Sequence, residues 1–170
     1  AANATVEGTW ENKVFTSDMA AVAGYLKLLK DADIPVLWRP FHEVAGKWFW
    51  WGKDAASHKA MWIAMFNYFK AQGLDNLIWV WTTETGDDDW YPGDQYVDII
   101  GRDIYSKDAE TCASQYAAIS ATYGNKIVAL SECGTVGKIS EQWVRDLSFY
   151  GTQITEDEML QIIMKYKMPL

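Results

Sequence analysis

The sequence predicts an α/β fold with a parallel sheet, either doubly wound or barrel-shaped. Short apolar segments with the character of buried strands alternate with segments of helical period along the chain. Such an order joins neighbouring parallel strands through crossover helices. Neither a G-x-G-x-x-G fingerprint after a strand nor a P-loop is present, which disfavours the nucleotide-binding members of the doubly wound class.

Four segments are predicted to be buried strands, each apolar and followed by polar loop residues. They span residues 34–41, 76–83, 96–105 and 126–131. A (β/α)8 barrel needs about 250 residues, whereas this chain has 170. The strand count fits a fragment of a barrel, a shortened relative or half of an oligomeric barrel, and we expect residues 1–170 to form a single partial domain.

The predicted helices lie between and after these strands. Ser17 and Asp18 are predicted to cap a helix over residues 17–32. Met61 and Met65 lie four positions apart in a helix over 55–71, which indicates a stripe that faces the core. Further helices are predicted over 108–123, over 140–147 and from residue 155, where an acidic first turn suits the positive end of a helix.

Composition and charge exclude several classes of partner. The chain has 15 Lys and Arg against 23 Asp and Glu, a formal net charge of −8, and no basic stripe, so nucleic acid is not expected to bind. Apolar residues make up 49% of the chain, enough for a core. No apolar run reaches the roughly 18 residues of a membrane span. The start at Ala1, without Met, is interpreted as a processed or excised end that permits secretion.

No cofactor and no metal site is predicted. Cys112, Cys133, His42 and His58 do not fall at the spacing of metal ligands. The two cysteines are expected to be buried thiols, and a disulfide between them stays the alternative. The acidic run at 87–89 could chelate a cation, but three consecutive carboxylates cannot all face one ion, so a solvated loop is favoured.

Two glutamates stand where apolar strands meet loops. Glu43 follows the strand at 34–41 and Glu132 follows the strand at 126–131. Functional side chains of parallel α/β folds gather at the carboxyl ends of strands. The 89 positions that separate them correspond to three βα units of about 30 residues each, which places the two carboxyl groups on facing walls of a barrel mouth. Two facing carboxylates suit cleavage of a glycosidic bond.

Many aromatic residues follow the same strand ends. The chain contains 10 Trp, and four of them are predicted to bind sugar because an indole ring covers the C–H face of a pyranose without hydrogen bonds. A large core is the alternative use for so many aromatic side chains. Trp79 lies inside its strand and is predicted to pack between sheet and helix. The candidate sugar-binding residues are Trp48, Trp51, Trp81 and Trp90.

Several sequence motifs resemble the signature of family 26 glycoside hydrolases, which are mostly endo-β-1,4-mannanases. They are WRPFHE at 38–43, GKWFWWG at 46–52, WYPGD at 90–94, GRDIY at 101–105 and SECG at 131–134. The resemblance runs from about residue 5 to residue 143. It implies a (β/α)8 TIM barrel of which the chain holds about four βα units, without strands one to three and with at most a stub of strand eight.

The resemblance also implies a retaining mechanism and a role for each matched position. Glu43 takes the acid/base position at the end of strand four, and Glu132 takes the nucleophile position at the end of strand seven. Tyr105 matches a tyrosine that holds the nucleophile carboxylate, and Trp48 matches the aromatic platform beside the scissile bond. Three further residues are assigned supporting roles. Arg39 and Asp103 are expected to steady the site by charge and hydrogen bonds, and His42 directly precedes the acid.

The predicted function is that of a secreted or cell-surface hydrolase that cleaves internal β-1,4 bonds of mannan, galactomannan or glucomannan. Four strands leave two open sheet edges, which predicts self-association or pairing with a missing half. A half-barrel that binds glycan without cleaving it, or that completes a larger assembly, is the alternative from another class. Mixed-linkage β-glucan and β-1,3-xylan stay open as substrates, because two glutamates do not read the orientation of the sugar 2-hydroxyl.

Overall fold

The chain forms a four-stranded parallel sheet with helices between its strands. The computed structural model describes residues 1–134, so the helices predicted beyond them lie outside the described residues. The strands pair in the order β1-β2-β3-β4, and each pairing is parallel. The elements are α1 (Trp10–Asp31), β1 (Val36–Trp38), α2 (Ala55–Ala71), β2 (Leu77–Thr83), β3 (Ile99–Tyr105), α3 (Ala109–Thr122) and β4 (Ile127–Gly134). The predicted parallel α/β fold is confirmed.

Side-chain caps set the starts of the helices. The carboxylate of Asp54 accepts the backbone N–H of Ser57 at the start of α2, and Asp108 does the same for Thr111 at the start of α3. Both helices therefore begin at or beside the predicted residues. Helix α1 begins earlier than predicted, because the hydroxyl of Thr9, rather than the side chain of Ser17, accepts the N–H that caps it.

Strands β1 and β3 are clearly shorter than predicted, β2 begins one residue later than predicted, and β4 is longer. Strand β1 ends at Trp38 because Pro40 has no N–H for the ladder and Phe41 adopts a φ of 51°. Strand β3 begins at Ile99, after a 3-10 turn at Asp94–Tyr96. Strand β4 continues to Gly134, so Glu132 lies inside the strand instead of following it.

The core lies between the sheet and the helix layer. Met61 and Trp62 of α2 are fully buried, and Met65 is 8% exposed. Trp79 of β2 is 5% exposed, with its ring centroid 5.7 Å from that of Trp62 and 5.1 Å from that of Phe66. The predictions that Trp79 packs between sheet and helix and that the methionine stripe faces the core are confirmed.

The outermost strands β1 and β4 each have one partner strand among residues 1–134. Leu37 of β1 and Ile127 of β4 are exposed. An open apolar groove of about 620 Å³ lies beside β1 and is lined in part by Trp10, Val14 and Trp50. Self-association through these edges stays a prediction. None of the described helices is long and apolar enough to cross a membrane.

His58 makes the folded state sensitive to acid. Its side chain in α2 is fully buried, and neither ring nitrogen has a hydrogen-bond partner. Burial, with a smaller contribution from the charge of Lys59, lowers the pKa of His58 to about 4 from its ordinary 6.5. Between these pH values the unfolded chain binds a proton that the folded chain does not, so the free energy of unfolding should rise with pH there and level off above.

We therefore expect the wild-type chain to lose on the order of 3 kcal/mol of stability through His58 as the pH falls from 6.5 to 4. Urea unfolding at a series of pH values measures this loss. The variant His58→Phe should show a flatter profile of unfolding free energy across that pH range. Equal slopes for wild type and His58→Phe would show that His58 is not the source.

Candidate active site

The guanidinium of Arg39 links residues of three strands on one face of the sheet. Arg39 follows β1, and its Nη1 donates to the hydroxyl of Thr82 on β2 and to Asp103 Oδ2 on β3, each at 3.1 Å. Its Nη2 donates to Glu132 Oε1 on β4. We call this side the inner face of the sheet. Trp79 points to the opposite side, where the helices pack.

Asp103 is the buried anion that Arg39 neutralises. Its side chain has no exposed surface, and its Oδ1 accepts the hydroxyl of Ser131 at 2.6 Å. Burial raises the pKa of Asp103, and the hydrogen bond from Ser131 and the charge of Arg39 oppose that rise. The negative charges of Glu132 and Glu43 add to the rise, so both glutamates lie within electrostatic reach of Asp103.

Glu132 is held in its charged form. Partial burial alone would raise its pKa, but hydrogen bonds from the Tyr105 hydroxyl and from Arg39, together with the charge of Arg39, outweigh burial and hold the pKa below its usual value. The Tyr105 hydroxyl lies 2.7 Å from Glu132 Oε2. That same bond raises the pKa of Tyr105 to about 12. Tyr105 thus contacts Glu132, as the resemblance of the sequence motifs predicts.

Glu43 stands on a tight turn a few residues after the end of β1 at Trp38. It adopts a φ of 52° and precedes a 3-10 turn at Val44–Gly46, whose Val44 is fully buried. The indole N–H of Trp48 donates to Glu43 Oε2 at 3.3 Å. A Cβ at Gly46 would overlap the ring of Trp48, so glycine is needed for the indole to lie across the turn. The charge of Glu43 also raises the pKa of Tyr105, which places it at the same end of the sheet as Glu132.

The aromatic loop at residues 48–51 divides into exposed and anchoring rings. Trp48 is 59% exposed and Trp50 is 53% exposed. Phe49 and Trp51 stack on each other with centroids 4.3 Å apart and planes 15° apart. The half-buried Trp51 also donates its N–H to the backbone oxygen of His42 at 2.9 Å. Trp48 therefore presents a free ring face beside Glu43, while Trp51 anchors the loop.

The structure corrects one predicted sugar-binding residue. Trp81 is fully buried, with its ring centroid 5.1 Å from that of Tyr91 and 5.9 Å from that of Tyr123. It lies two positions after Trp79 on β2 and shares its face, because side chains alternate along a strand. Trp81 is a core residue with no surface for a sugar. Trp90 is half-buried and packs against the core, with its ring 6.1 Å from that of His58.

The acidic run after β2 is only partly a solvated loop. Asp88 and Asp89 are exposed as predicted, but Asp87 is buried. Asp87 accepts the hydroxyl of Thr83 at 2.6 Å and the backbone N–H of Glu84 at 2.7 Å, which closes the turn after the strand. Among residues 1–134 the structure shows no group of His, Cys, Asp and Glu side chains suited to hold a metal ion.

Sequence reasoning missed three polar residues at this end of the sheet. Thr82 binds Arg39 and Ser131 binds Asp103, as described above. Glu84 pairs with Arg102 at 3.2 Å, and burial raises its pKa against the charge of that arginine. Strand alternation could have found Thr82. It follows Trp81, which points to the helices, so the side chain of Thr82 points to the inner face. No pattern indicates the contact of Ser131.

Residues 3–156 of the chain match the family described as Glycosyl hydrolase family 26. The chain belongs to this family. Mannan endo-1,4-beta-mannosidase B of Piromyces sp is 40% identical over 144 residues, which are 82% of this chain and 24% of that relative. Mannan endo-1,4-beta-mannosidase of Bacillus subtilis strain 168 is 37% identical over 74% of this chain and 38% of its own length.

Solved structures of family 26 proteins share the fold of the chain. The GH26 domain of an endo-beta-mannanase/endo-beta-glucanase from Prevotella bryantii superposes with a TM-score of 0.78 at 38% identity, covering 92% of this chain and 61% of that one. A beta-mannanase from a symbiotic protist of the termite Reticulitermes speratus, complexed with gluco-manno-oligosaccharide, gives 0.77 at 37% identity, covering 92% and 58%. The predicted family and TIM-barrel type of fold are confirmed. The chain spans about a quarter of the Piromyces relative.

The hydrogen bond from Tyr105 predicts a measurable shift at Glu132. Removing the hydroxyl in Tyr105→Phe takes away one of the donors that favour the charged carboxylate, so the pKa of Glu132 should rise. Carboxyl-carbon NMR titration of the intact chain measures it. Tyr25→Phe removes a hydroxyl from an exposed position on α1 and should leave Glu132 unchanged. A Glu132 titration that is the same in both variants would contradict the contact.

Proposed function

We propose that this family 26 chain carries the catalytic pair of a retaining endo-β-1,4-mannanase, with Glu43 as acid/base and Glu132 as nucleophile. The contrasting settings of the two carboxyl groups support this proposal most directly. Glu132 has a cation and a phenol that favour its charged form, as an attacking carboxylate requires. Glu43 stands on a loop beside an exposed indole, with the N–H of Trp48 as a hydrogen-bond donor.

The proposed reaction proceeds in two displacements. Glu132 attacks the anomeric carbon of the mannose unit while Glu43 gives its proton to the leaving glycosidic oxygen, which breaks the bond and forms a glycosyl ester on Glu132. Glu43, now charged, takes a proton from water, and that water cleaves the ester and regenerates both groups. Tyr105 and Arg39 steady the carboxylate of Glu132 between turnovers.

Mannan, galactomannan or glucomannan is the substrate class that we propose. Family membership and relatives named mannan endo-1,4-beta-mannosidase support it. The exposed ring of Trp48 beside Glu43 offers a stacking surface for the sugar next to the scissile bond. Because mannan is a polymer that does not cross membranes, we propose that the enzyme acts at or outside the cell surface.

Exchange of either glutamate should abolish hydrolysis of β-mannan. We expect Glu43→Gln and Glu132→Gln each to lower kcat by roughly 10³-fold or more, because each removes a group that forms or breaks a bond. Reducing-sugar release from β-mannan, mixed-linkage β-glucan and β-1,3-xylan measures activity and substrate class together. Glu110→Gln, on the exposed first turn of α3, is the matched control.

The outcomes separate the alternatives. Wild-type activity that survives in either active-site variant would refute the assignment of the pair. Wild-type binding of mannan oligosaccharides without cleavage would instead favour a glycan-binding half-barrel. Early products examined by proton NMR should keep the β configuration at the new reducing end, since double displacement retains it. Initial products in the α configuration would overturn the retaining mechanism.

Two exposed tryptophans of the same loop allow a matched test of sugar stacking. Trp48→Ala should raise KM for mannan oligosaccharides roughly tenfold, because it removes the ring face beside Glu43. Trp48→Phe keeps a ring but loses the N–H to Glu43, so it should affect kcat more than KM. Trp50→Ala serves as control, since Trp50 lines the groove beside β1 and should leave KM near the wild-type value. An equal rise of KM in Trp48→Ala and Trp50→Ala would contradict the proposal.

A further inference from the structure

The ladder between β3 and β4 contains a one-residue irregularity beside Glu132. Arg102 pairs with Leu130, and the next residue, Asp103, pairs with Glu132. Ser131 is therefore left without a partner on β3, which is the arrangement of a β-bulge. Bulges interrupt the ladder and place side chains where regular alternation would not.

The consequence of the bulge is that two consecutive side chains share the inner face. In a regular strand, neighbouring side chains point to opposite faces. Here the Ser131 hydroxyl donates to Asp103 at 2.6 Å, and the Glu132 carboxylate accepts from Arg39 and Tyr105 on the same face. Ser131 and Glu132 are therefore both joined to the hydrogen-bonded pair of Asp103 and Arg39.

Gly101 provides the space in which Ser131 lies. A Cβ built on Gly101 would fall 2.6 Å from Ser131 Oγ and 3.1 Å from Ser131 Cβ. The contact involves the first atoms of a short side chain, so Ser131 could not move away without leaving Asp103. Any larger residue at 101 would displace the serine.

We propose that Ser131 is a positioning residue for Glu132, acting through Asp103 and Arg39, and that Gly101 holds open the space it needs. Burial favours the neutral form of Asp103, and the Ser131 hydroxyl is the strongest single contact that favours its charged form. Only a charged Asp103 attracts Arg39 fully. Arg39 in turn binds Glu132. Loss of the Ser131 hydroxyl therefore weakens the contact between Arg39 and the Glu132 carboxylate. This inference rests on the proposed nucleophile role of Glu132.

The kinetic test compares variants at position 131. Ser131→Ala should lower kcat roughly tenfold or more, the value of a hydrogen bond to a charged group, and leave KM within about twofold because the serine does not touch substrate. Ser131→Cys keeps the shape of the side chain, with a somewhat larger sulfur in place of the oxygen, but has a weak donor, so it should resemble Ser131→Ala. A wild-type kcat in Ser131→Cys would show that Ser131 acts only by packing, and would overturn the proposal. Ser114→Ala, on the exposed face of α3, is the control.

The pH dependence of kcat gives a second kinetic readout. Asp103 contacts Arg39 and lies within electrostatic reach of Glu43 and Glu132, and without the serine it takes up a proton at higher pH. The acidic limb of the profile should therefore move to higher pH in Ser131→Ala and Ser131→Cys. A limb that stays in place while kcat falls would contradict the route through Asp103.

A spectroscopic test stands apart from activity. The bond to Glu132 raises the pKa of Tyr105 to about 12. If Glu132 loosens in Ser131→Ala, ring-carbon NMR of Tyr105, assigned with Tyr105→Phe, should show titration at a pH closer to the ordinary value near 10. An unchanged Tyr105 titration would overturn the inference even in a chain that does not hydrolyse mannan. A wild-type chain without hydrolysis, but with the expected Tyr105 shift, would overturn the proposed function alone.

Discussion

The buried charge of Asp103 is the constraint on which the inner face of the sheet depends. A carboxylate without exposed surface destabilises the folded state unless a cation and hydrogen-bond donors compensate it. Arg39 supplies the cation from the end of β1, and Ser131 supplies a hydroxyl from β4. The same guanidinium also binds Glu132. Arg39 therefore both neutralises the buried anion and positions the candidate nucleophile. Stability and site geometry are therefore coupled.

The two glutamates differ in how firmly the fold holds them. Glu132 lies inside a paired strand and contacts Tyr105 on the neighbouring β3 and Arg39 after β1. Glu43 lies on a turn with positive φ and contacts a tryptophan of its own loop. A nucleophile has to reach a fixed anomeric carbon in one direction, whereas an acid that later acts as a base has to serve first the leaving oxygen and then water. The rigid setting suits the first task and the loop suits the second.

The parallel strands, and the placement of Glu43 and Glu132 near the carboxyl ends of strands, could be predicted because both depend on short-range patterns. Apolar runs bounded by polar residues mark β2 and β3, and a residue that follows such a run lies near a strand end wherever the sheet forms, although Glu132 itself lies inside β4. The bulge at Ser131 could not be predicted, because it is defined by the register between two strands. Trp81 was wrongly assigned for a different reason. Its position at a strand end was read correctly, but only its face, set by the alternation from Trp79, decides between sugar and core.

Backbone strain is concentrated where the chain turns from β1 into the site. Phe41, Glu43 and Lys47 all adopt positive φ, and none of them is glycine. Each such residue costs on the order of 1 kcal/mol, so the turn persists only where surrounding contacts over-determine it. The full burial of Val44 and the bond from Trp51 to the backbone before Glu43 supply such contacts. The tryptophan-rich composition thus has two physical uses: indoles buried between the sheet and the helices stabilise the core, and indoles of the 48–51 loop hold a strained turn that presents a carboxyl group to solvent.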